Sequence, residues 1–342
     1  MEYEIELKLL TNEQAGEVIE KKLLPQLDAS ITQETQILTN HYFDTANRTL
    51  RKHKIGLRIR GNNQKFEQTV KTAGKSIGGL HQRPEYNVQL DESNKQRIDI
   101  PDLRLFPLSV WPKTIDVDDL QTKIKTLFTT HFERKIYLLE FSHGDIVELV
   151  WDIGEVKSGD ESVPICEIEL ELKKGTTKVL FNLAKQIVSL LPTSIGTNSK
   201  AARGYNLLDG LAVNEIRQYQ PPLTKNIKID AEVFASLLTT LLQDFQIYTA
   251  EIRCHFCEEL ATNIKHVLIV LVDNLERFSY HFPCPLLTHI HIQLKTLANE
   301  WSIVVENNDK NAANSLLARA QTTQLQLDIV QCLVEQPWSY NI

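Results

Sequence analysis

The sequence predicts an α+β chain, with antiparallel strands first and an all-α helical bundle after them. Two observations carry this. Charged and apolar residues alternate strictly through several short segments, beginning with Glu2-Tyr3-Glu4-Ile5-Glu6-Leu7-Lys8. After Tyr219-Gln220-Pro221-Pro222 the alternation stops and long runs of helical period take over. Successive side chains of a strand point to opposite faces. The first segment therefore has one face of Glu, Glu, Glu and Lys and another that is apolar. The apolar face must pack on a core, which turns the acidic face toward something wet.

The elements follow in order. Residues 11–24 read as a helix capped near Thr11-Asn12 and stopped by Pro25. A strand at 36–43 leads into the turn Asp44-Thr45-Ala46-Asn47, and Arg58 and Arg60 share one face of a strand at 55–60. Gly61-Asn62-Asn63 marks a hairpin turn. The return strand, 65–71, sets Glu67, Thr69 and Lys71 on one face and Phe66 and Val70 on the other. Gly74-Lys75-Ser76, in the loop 73–80, has only a superficial likeness to a phosphate-binding P-loop. Thr69 stands where that motif needs its first Gly, and a strand follows instead of a helix.

That strand, 82–90, has Arg83, Glu85 and Asn87 in phase. Beyond an irregular stretch at 91–119, a short helix is expected at 120–128. Strands at 132–141, with Arg134, and 145–153, with Glu148 and Asp152, come next. Cys166-Glu167-Ile168-Glu169-Leu170-Glu171-Leu172-Lys173 nearly repeats the first strand. A helix is expected at 176–191. Another at 199–208 puts Lys200 and Arg203 three residues apart on one face.

The second half reads as four helices, at 230–250, 251–281, 286–307 and 311–334. Pro283 and Pro285 break the second from the third, and Asn307-Asn308-Asp309 the third from the fourth. The domain reading is 1–215, a linker at 216–225, and 226–342. From residue 215 onward nine Lys and Arg stand against fourteen Asp and Glu, so most of the net charge of -7 sits in the helical part. An acidic bundle is a poor polyanion binder, which leaves packing, oligomerisation or protein contacts as its role. Cys254-His255-Phe256-Cys257 has no second pair at zinc-site spacing and reads as a buried helical pair. His41 and His81 read as structural or peripheral.

The acidic balance also argues against a nucleic-acid partner. Five scattered cysteines suggest no disulfide framework. The longest uncharged apolar run, 267–272, is far short of the roughly 20 residues a membrane span needs, so no membrane partner is expected. The chain opens on a strand and not on a basic-then-apolar leader, and a cytoplasmic location is the expectation.

About eight strands thus carry charge on one face. For any single strand the plain reading is an open sheet with its polar side in water. Taken together the charges segregate by strand, with Glu4, Glu6, Glu167 and Glu169 in one set and Arg58, Arg60, Lys71, Arg83 and Arg134 in another. Clustered carboxylates repel one another unless a cation sits among them, and an all-oxygen set suits Mg²⁺, Mn²⁺ or Ca²⁺ better than zinc. Guanidinium and ammonium groups match phosphate oxygens. Cation site plus basic ring is the equipment of phosphoryl chemistry.

The residues themselves carry a resemblance. Glu4-x-Glu6-x-Lys8, Tyr42-Phe43-Asp44-Thr45, Leu57-Arg58-Ile59-Arg60, Gln68-Thr69-Val70-Lys71, Arg83-x-Glu85, Glu148-x-x-x-Asp152, Glu167-x-Glu169-x-Glu171 and Ser199-Lys200-Ala201-Ala202-Arg203 resemble, in that order, the CYTH superfamily of triphosphate tunnel metalloenzymes. Gly78-Gly79-Leu80-His81-Gln82-Arg83-Pro84-Glu85-Tyr86 and the run 199–205 are most similar to bacterial inorganic triphosphatases that carry a helical CHAD domain after the CYTH domain. The resemblance covers residues 1–210.

It implies an eight-stranded antiparallel β tunnel with covering helices that binds a linear triphosphate end-on. In that picture Glu4, Glu6, Asp152, Glu167 and Glu169 hold one or two Mg²⁺ or Mn²⁺ ions. Lys8, Arg58, Arg60, Lys71, Arg83, Arg134, Lys200 and Arg203 grip the phosphates. Glu4, Glu6, Lys8 and Lys71 form the catalytic set. A metal-polarised water attacks the terminal phosphorus of tripolyphosphate and gives pyrophosphate and phosphate. Glu171 is an alternative ligand, and Glu2 and Glu67 are lining. The resemblance also places a CHAD module after the linker, and the acidic balance here makes that a degenerate, CHAD-like bundle.

Other readings stay open: a thiamine or nucleoside triphosphatase or an ATP cyclase of the same fold, a non-catalytic polyphosphate or nucleotide sensor, and a structural sheet with salt-bridge ladders. No aromatic base-stacking pocket is legible in the strands, which favours an inorganic substrate. Anion binding alone does not need four or more carboxylates.

Overall fold

Eight strands close into an antiparallel barrel with its charged faces inside. The computed structural model describes residues 2–62, 65–90, 100–210, 219–220, 230–282 and 284–338. The barrel strands are β1 (Glu2–Leu10), β2 (Ala29–Asp44), β3 (Gly56–Asn62), β4 (Lys65–Lys71), β6 (Leu80–Leu90), β7 (Lys125–Phe141), β8 (Ile146–Ser158) and β9 (Glu161–Lys174), with a short β5 (Lys75–Ile77). Their order is β1-β9-β8-β7-β2-β3-β4-β6, closed by β1 against β6, with β5 added at β6. Closure removes every free edge from the eight.

The inside-out polarity follows from period-two alternation. Phe43, Leu57, Ile59 and Val70 point outward and pack with Leu50, Leu103, Phe106, Trp111 and Leu120. The covering segment includes α3 (Val117–Lys123), whose first turn is capped by the Asp116 carboxylate. The residues that alternate with those apolar ones can then only face the barrel axis. Register brings opposite charges side by side there: Glu4 lies across from Arg83, Lys8 from Glu169, Lys71 from Glu85 and Arg134 from Asp152.

Several local expectations change. The strand predicted at 36–43 begins at Ala29, and β5 occupies part of the predicted loop 73–80. The first helix is split into α1 (Ala15–Val18), a π-turn at Ile19–Leu23 and a 3-10 turn at Leu24–Gln26, so Pro25 lies inside the last turn. The helix expected at 120–128 ends at Lys123, and β7 starts at Lys125. Tertiary packing decides this: Phe128 pairs across from Tyr42 on β2 and stacks on its ring at 4.9 Å. A short helix, α2 (Thr49–Lys52), follows the turn after β2.

Contact clustering divides the chain into two units, Met1–Leu180 with Gly196–Ala212, and Phe181–Ile195 with Val213–Ile342. Most of α4 (Thr177–Leu190) thus groups with the helical half, whereas α5 (Lys200–Leu208) belongs to the barrel unit. The predicted linker at 216–225 lies outside the described residues except for 219 and 220, as do 91–99 and Pro283.

The second unit contains α6 (Ala231–Cys254), α7 (Glu258–His281), α8 (Pro285–Asn307), α9 (Lys310–Ala318) and α10 (Ala320–Glu335) among its described residues. The fourth predicted helix is therefore two. Arg319 breaks it with an extended backbone while its guanidinium holds Glu300 at 2.8 Å, and Thr322 Oγ1 donates to the freed Leu316 carbonyl at 2.6 Å. Phe234 and Phe278 stack, and Trp338 packs edge-on to both. Cys254 is exposed and Cys257 half-buried, at odds with the expected buried pair. No helix among the described residues is long and apolar enough to cross a membrane.

Candidate active site

The barrel encloses a cavity of about 430 Å³. Of the site residues predicted from sequence, Glu4, Glu6, Lys8, Arg58, Arg60, Lys71, Arg83, Arg134, Glu169 and Lys200 line it. Asp152 and Glu167 are fully buried beside Glu169, and Arg203 reaches Glu167. One site therefore gathers residues from β1, β3, β4, β6, β7, β8, β9 and α5.

Its acidic end is a tight cluster. Asp152, Glu167 and Glu169 each offer an oxygen within 4.8 Å of the others. Lysines and arginines hold this charge. Arg134 bonds Asp152 through Nε at 2.7 Å and an Nη at 2.6 Å, and reaches Glu169 at 2.7 Å. Lys200 Nζ sits 2.6 Å from Asp152, 2.5 Å from Glu167 and 3.0 Å from Glu169. Lys8 Nζ is 2.9 Å from Glu167 and also pairs with Glu169. Burial alone would raise the Asp152 and Glu169 carboxyls, but these cations outweigh it and hold both below the usual carboxylate range. The donor set is all carboxylate oxygen and suits a hard divalent cation.

Glu4 and Glu6 stand apart from that cluster. Lys71 lies 2.6 Å from Glu4, and Arg83 is 3.2 Å from both Glu4 and Glu6. Against burial, Lys71 and Arg83 hold the Glu4 carboxyl down at about 2. Glu6 goes the other way: burial, with Glu169 and Glu4 nearby, pushes it up despite Lys8. The side chain of Glu2 lies outside the described residues.

The cationic wall is less well satisfied. Arg60 Nε donates to Asn40 Oδ1 at 2.9 Å, and no carboxylate among the described residues lies within ion-pair distance of it. Burial, then the neighbouring Arg58 and Arg134, pull its guanidinium down to about 9. Arg58 lies 3.6 Å from Glu85, and its Nε is buried with no hydrogen-bond partner. Two half-buried guanidinium groups thus face one cavity, Arg58 with an unpartnered Nε and Arg60 with no carboxylate among the described residues, an arrangement that suits an anion.

Some lining residues carry no assigned role in the sequence reading. Glu85 pairs with Lys71 at 3.1 Å and Lys173 with Glu171 at 2.8 Å; their alternation in phase with Arg83 and Glu169 was the available signal. Tyr42, Arg51, Lys54 and Tyr205 also line the cavity. Arg51 and Lys54 sit on or just after α2, which is too short to show a period. His81, across from Glu6, is held down at about 4 by burial and then by Arg83 and Lys8, so its ring is neutral at neutral pH.

A CYTH domain model matches residues 2–205. The chain belongs to the CYTH family. Within that family it is 38% identical over 208 residues to a protein of Haemophilus influenzae named inorganic triphosphatase. The match covers 60% of this chain and 54% of that protein, so the CYTH chain spans about half the length of its curated relative. Among solved structures, a Hippeastrum protein described as having a dominant triphosphatase activity is 22% identical over 59% of this chain and 95% of its own, with a TM-score of 0.44. A Pyrococcus horikoshii protein is 18% identical over 60% of this chain and 98% of its own, with a TM-score of 0.38.

Proposed function

We propose that this chain is a metal-dependent inorganic triphosphatase that hydrolyses tripolyphosphate to pyrophosphate and phosphate inside its barrel. The observation that carries this is the pairing of a guanidinium wall with spare donors, Arg58 with an unpartnered Nε and Arg60 with no carboxylate among the described residues, with the carboxylate cluster Asp152, Glu167 and Glu169. The name of the Haemophilus relative supports the same substrate class.

In this reading Asp152, Glu167 and Glu169 hold one divalent ion, Mg²⁺ or Mn²⁺, and Glu4 and Glu6 belong to a second position. A bound divalent ion supplies charge neutralisation and a water of lowered pKa. The chain's own cations then change partners: Lys8, Lys200, Arg134 and Arg203 turn from carboxylates to phosphate oxygens, while Arg58 gains an acceptor for its unpartnered Nε and Arg60 gains an anionic partner. Lys71 and Arg83, released from Glu4, neutralise charge along the rest of the phosphate chain. Such positioning and charge neutralisation account for most of phosphoryl-transfer catalysis. We further propose that residues 226–342 are an accessory CHAD-like bundle after the 216–225 linker, that they serve protein contacts, and that the protein works in the cytoplasm without nucleic-acid or membrane partners.

A second reading, a nucleoside or thiamine triphosphatase, draws on the Tyr42 and Tyr205 rings in the cavity lining. A panel of tripolyphosphate, long-chain polyphosphate, ATP and thiamine triphosphate, each with Mg²⁺ and with Mn²⁺, separates the two. Preference for tripolyphosphate supports the first, and preference for either organic substrate the second.

A further inference from the structure

We propose that Asp44 and Tyr205 form a positioning pair that seats α5 so that Lys200 and Arg203 present their charges to the bound substrate. Asp44, at the end of β2, is fully buried. Its Oδ1 accepts the backbone N–H groups of Thr45 at 2.7 Å and Leu50 at 2.8 Å, and its Oδ2 accepts that of Arg51 at 3.0 Å. The remaining contact is the Tyr205 hydroxyl, which donates to Oδ2 at 2.7 Å. No ion pair to Asp44 exists among the described residues, so this carboxylate serves neither the cation cluster nor the anion wall. It ties α2 to α5.

α5 needs that tie. It spans only nine residues, too few for a helix to hold itself in water, yet Lys200 on it contacts all three clustered carboxylates. Gly204 lets the helix come against Phe128, where a Cβ would meet the ring at 2.2 Å. Tyr205 packs edge-on to the same ring at 5.2 Å, and Phe128 in turn stacks on Tyr42. Ring packing alone leaves a short helix free to slide or roll. A directed hydrogen bond to a rigidly held acceptor fixes its rotation. At the surface the C-terminal end of α5 is latched again, with Asp209 pairing with Arg48 and with Arg51 at 2.7 Å. Arg51 also lies over the Tyr205 ring at 4.7 Å. Misplacing binding groups by about 1 Å through a remote change can cost on the order of 100-fold.

This inference rests on the proposed triphosphate site, and its test reads binding separately from turnover. In the full chain, KM and kcat for tripolyphosphate, calorimetric affinity for it and melting temperature are measured for wild type, Tyr205→Phe, Asp209→Asn and the control Leu208→Ala. Leu208 packs with the same aromatic group but does not itself line the cavity and makes no hydrogen bond to Asp44 among the described residues. Tyr205→Phe is expected to raise KM and weaken affinity by roughly 10- to 100-fold with a smaller change in kcat, because groups that grip substrate before and during reaction are lost equally from both states. Asp209→Asn should shift affinity in the same direction by less, and Leu208→Ala should lower melting temperature without moving affinity. Wild-type affinity in Tyr205→Phe, or equal loss of affinity in Tyr205→Phe and Leu208→Ala, would overturn the pair. Failure of the wild-type chain to bind tripolyphosphate would instead remove the functional reading, and this inference with it.

Discussion

Arg60 and Arg134 face the same cavity in opposite conditions. Arg134 is saturated by Asp152 and Glu169, whereas Arg60 donates to the neutral side chain of Asn40. A half-buried guanidinium without a counter-charge carries a desolvation cost, and an incoming anion relieves that cost. A hydrogen bond to a charged group is worth roughly 1.5–3 kcal/mol. Arg60→Ala is therefore expected to raise KM for tripolyphosphate by roughly 10- to 150-fold while the empty protein melts no lower than wild type. A KM within twofold of wild type would show that the anion binds elsewhere.

Glu167 and Glu169 each draw three cations, and on Glu169 these are Lys8, Lys200 and Arg134. Glu169→Gln keeps the volume but leaves those three cations underpaired. The expected outcome is activity lower by on the order of 100-fold or more and weaker Mn²⁺ binding by calorimetry. Breaking a buried pair from one side costs roughly 3–5 kcal/mol, so the metal-free variant should also melt earlier. Glu6→Gln, which strips a carboxylate already pushed toward protonation, should lose activity with a smaller stability penalty. Equal stability losses would argue against this division of roles.

Acid stability follows from Glu4. Its folded-state carboxyl is held at about 2 against an ordinary value of 4.5. A depressed carboxyl stabilises the fold above its unfolded value and loses that contribution as pH falls toward its folded value. Between pH 4.5 and 2 the wild-type chain should therefore lose melting temperature more steeply than Glu4→Gln, in metal-free buffer. Parallel curves would mean that Lys71 and Arg83 do not compensate Glu4's burial as the geometry indicates.

Alternation made much of this legible before the structure. Period alone puts Glu4, Arg58, Lys71, Arg83 and Glu169 on wet strand faces, and barrel closure is what turns those faces inward. Pairing across closure had no local signal: nothing near Lys8 in the sequence announces Glu167 and Glu169, which are brought to it by the β1–β9 register. Asp44 belongs to a recognisable run, Tyr42-Phe43-Asp44-Thr45, but its partner Tyr205 is distant in sequence and meets it only when α5 packs on Phe128. Residues 125–128 read as helix in the sequence because their strand character comes from pairing with β2 rather than from their own pattern. The break at Arg319 was invisible because neither Gly nor Pro marks it.

The proposed reaction has carboxylates and cations of one cavity acting together through a divalent ion on a triphosphate. Its most direct test is phosphate release from tripolyphosphate by the purified full chain, measured with Mg²⁺, with Mn²⁺ and after exhaustive EDTA treatment. Release that depends on added metal, stops with EDTA and returns on re-addition is the predicted result. Release that persists at the same rate in EDTA, or no release with either metal, would contradict it.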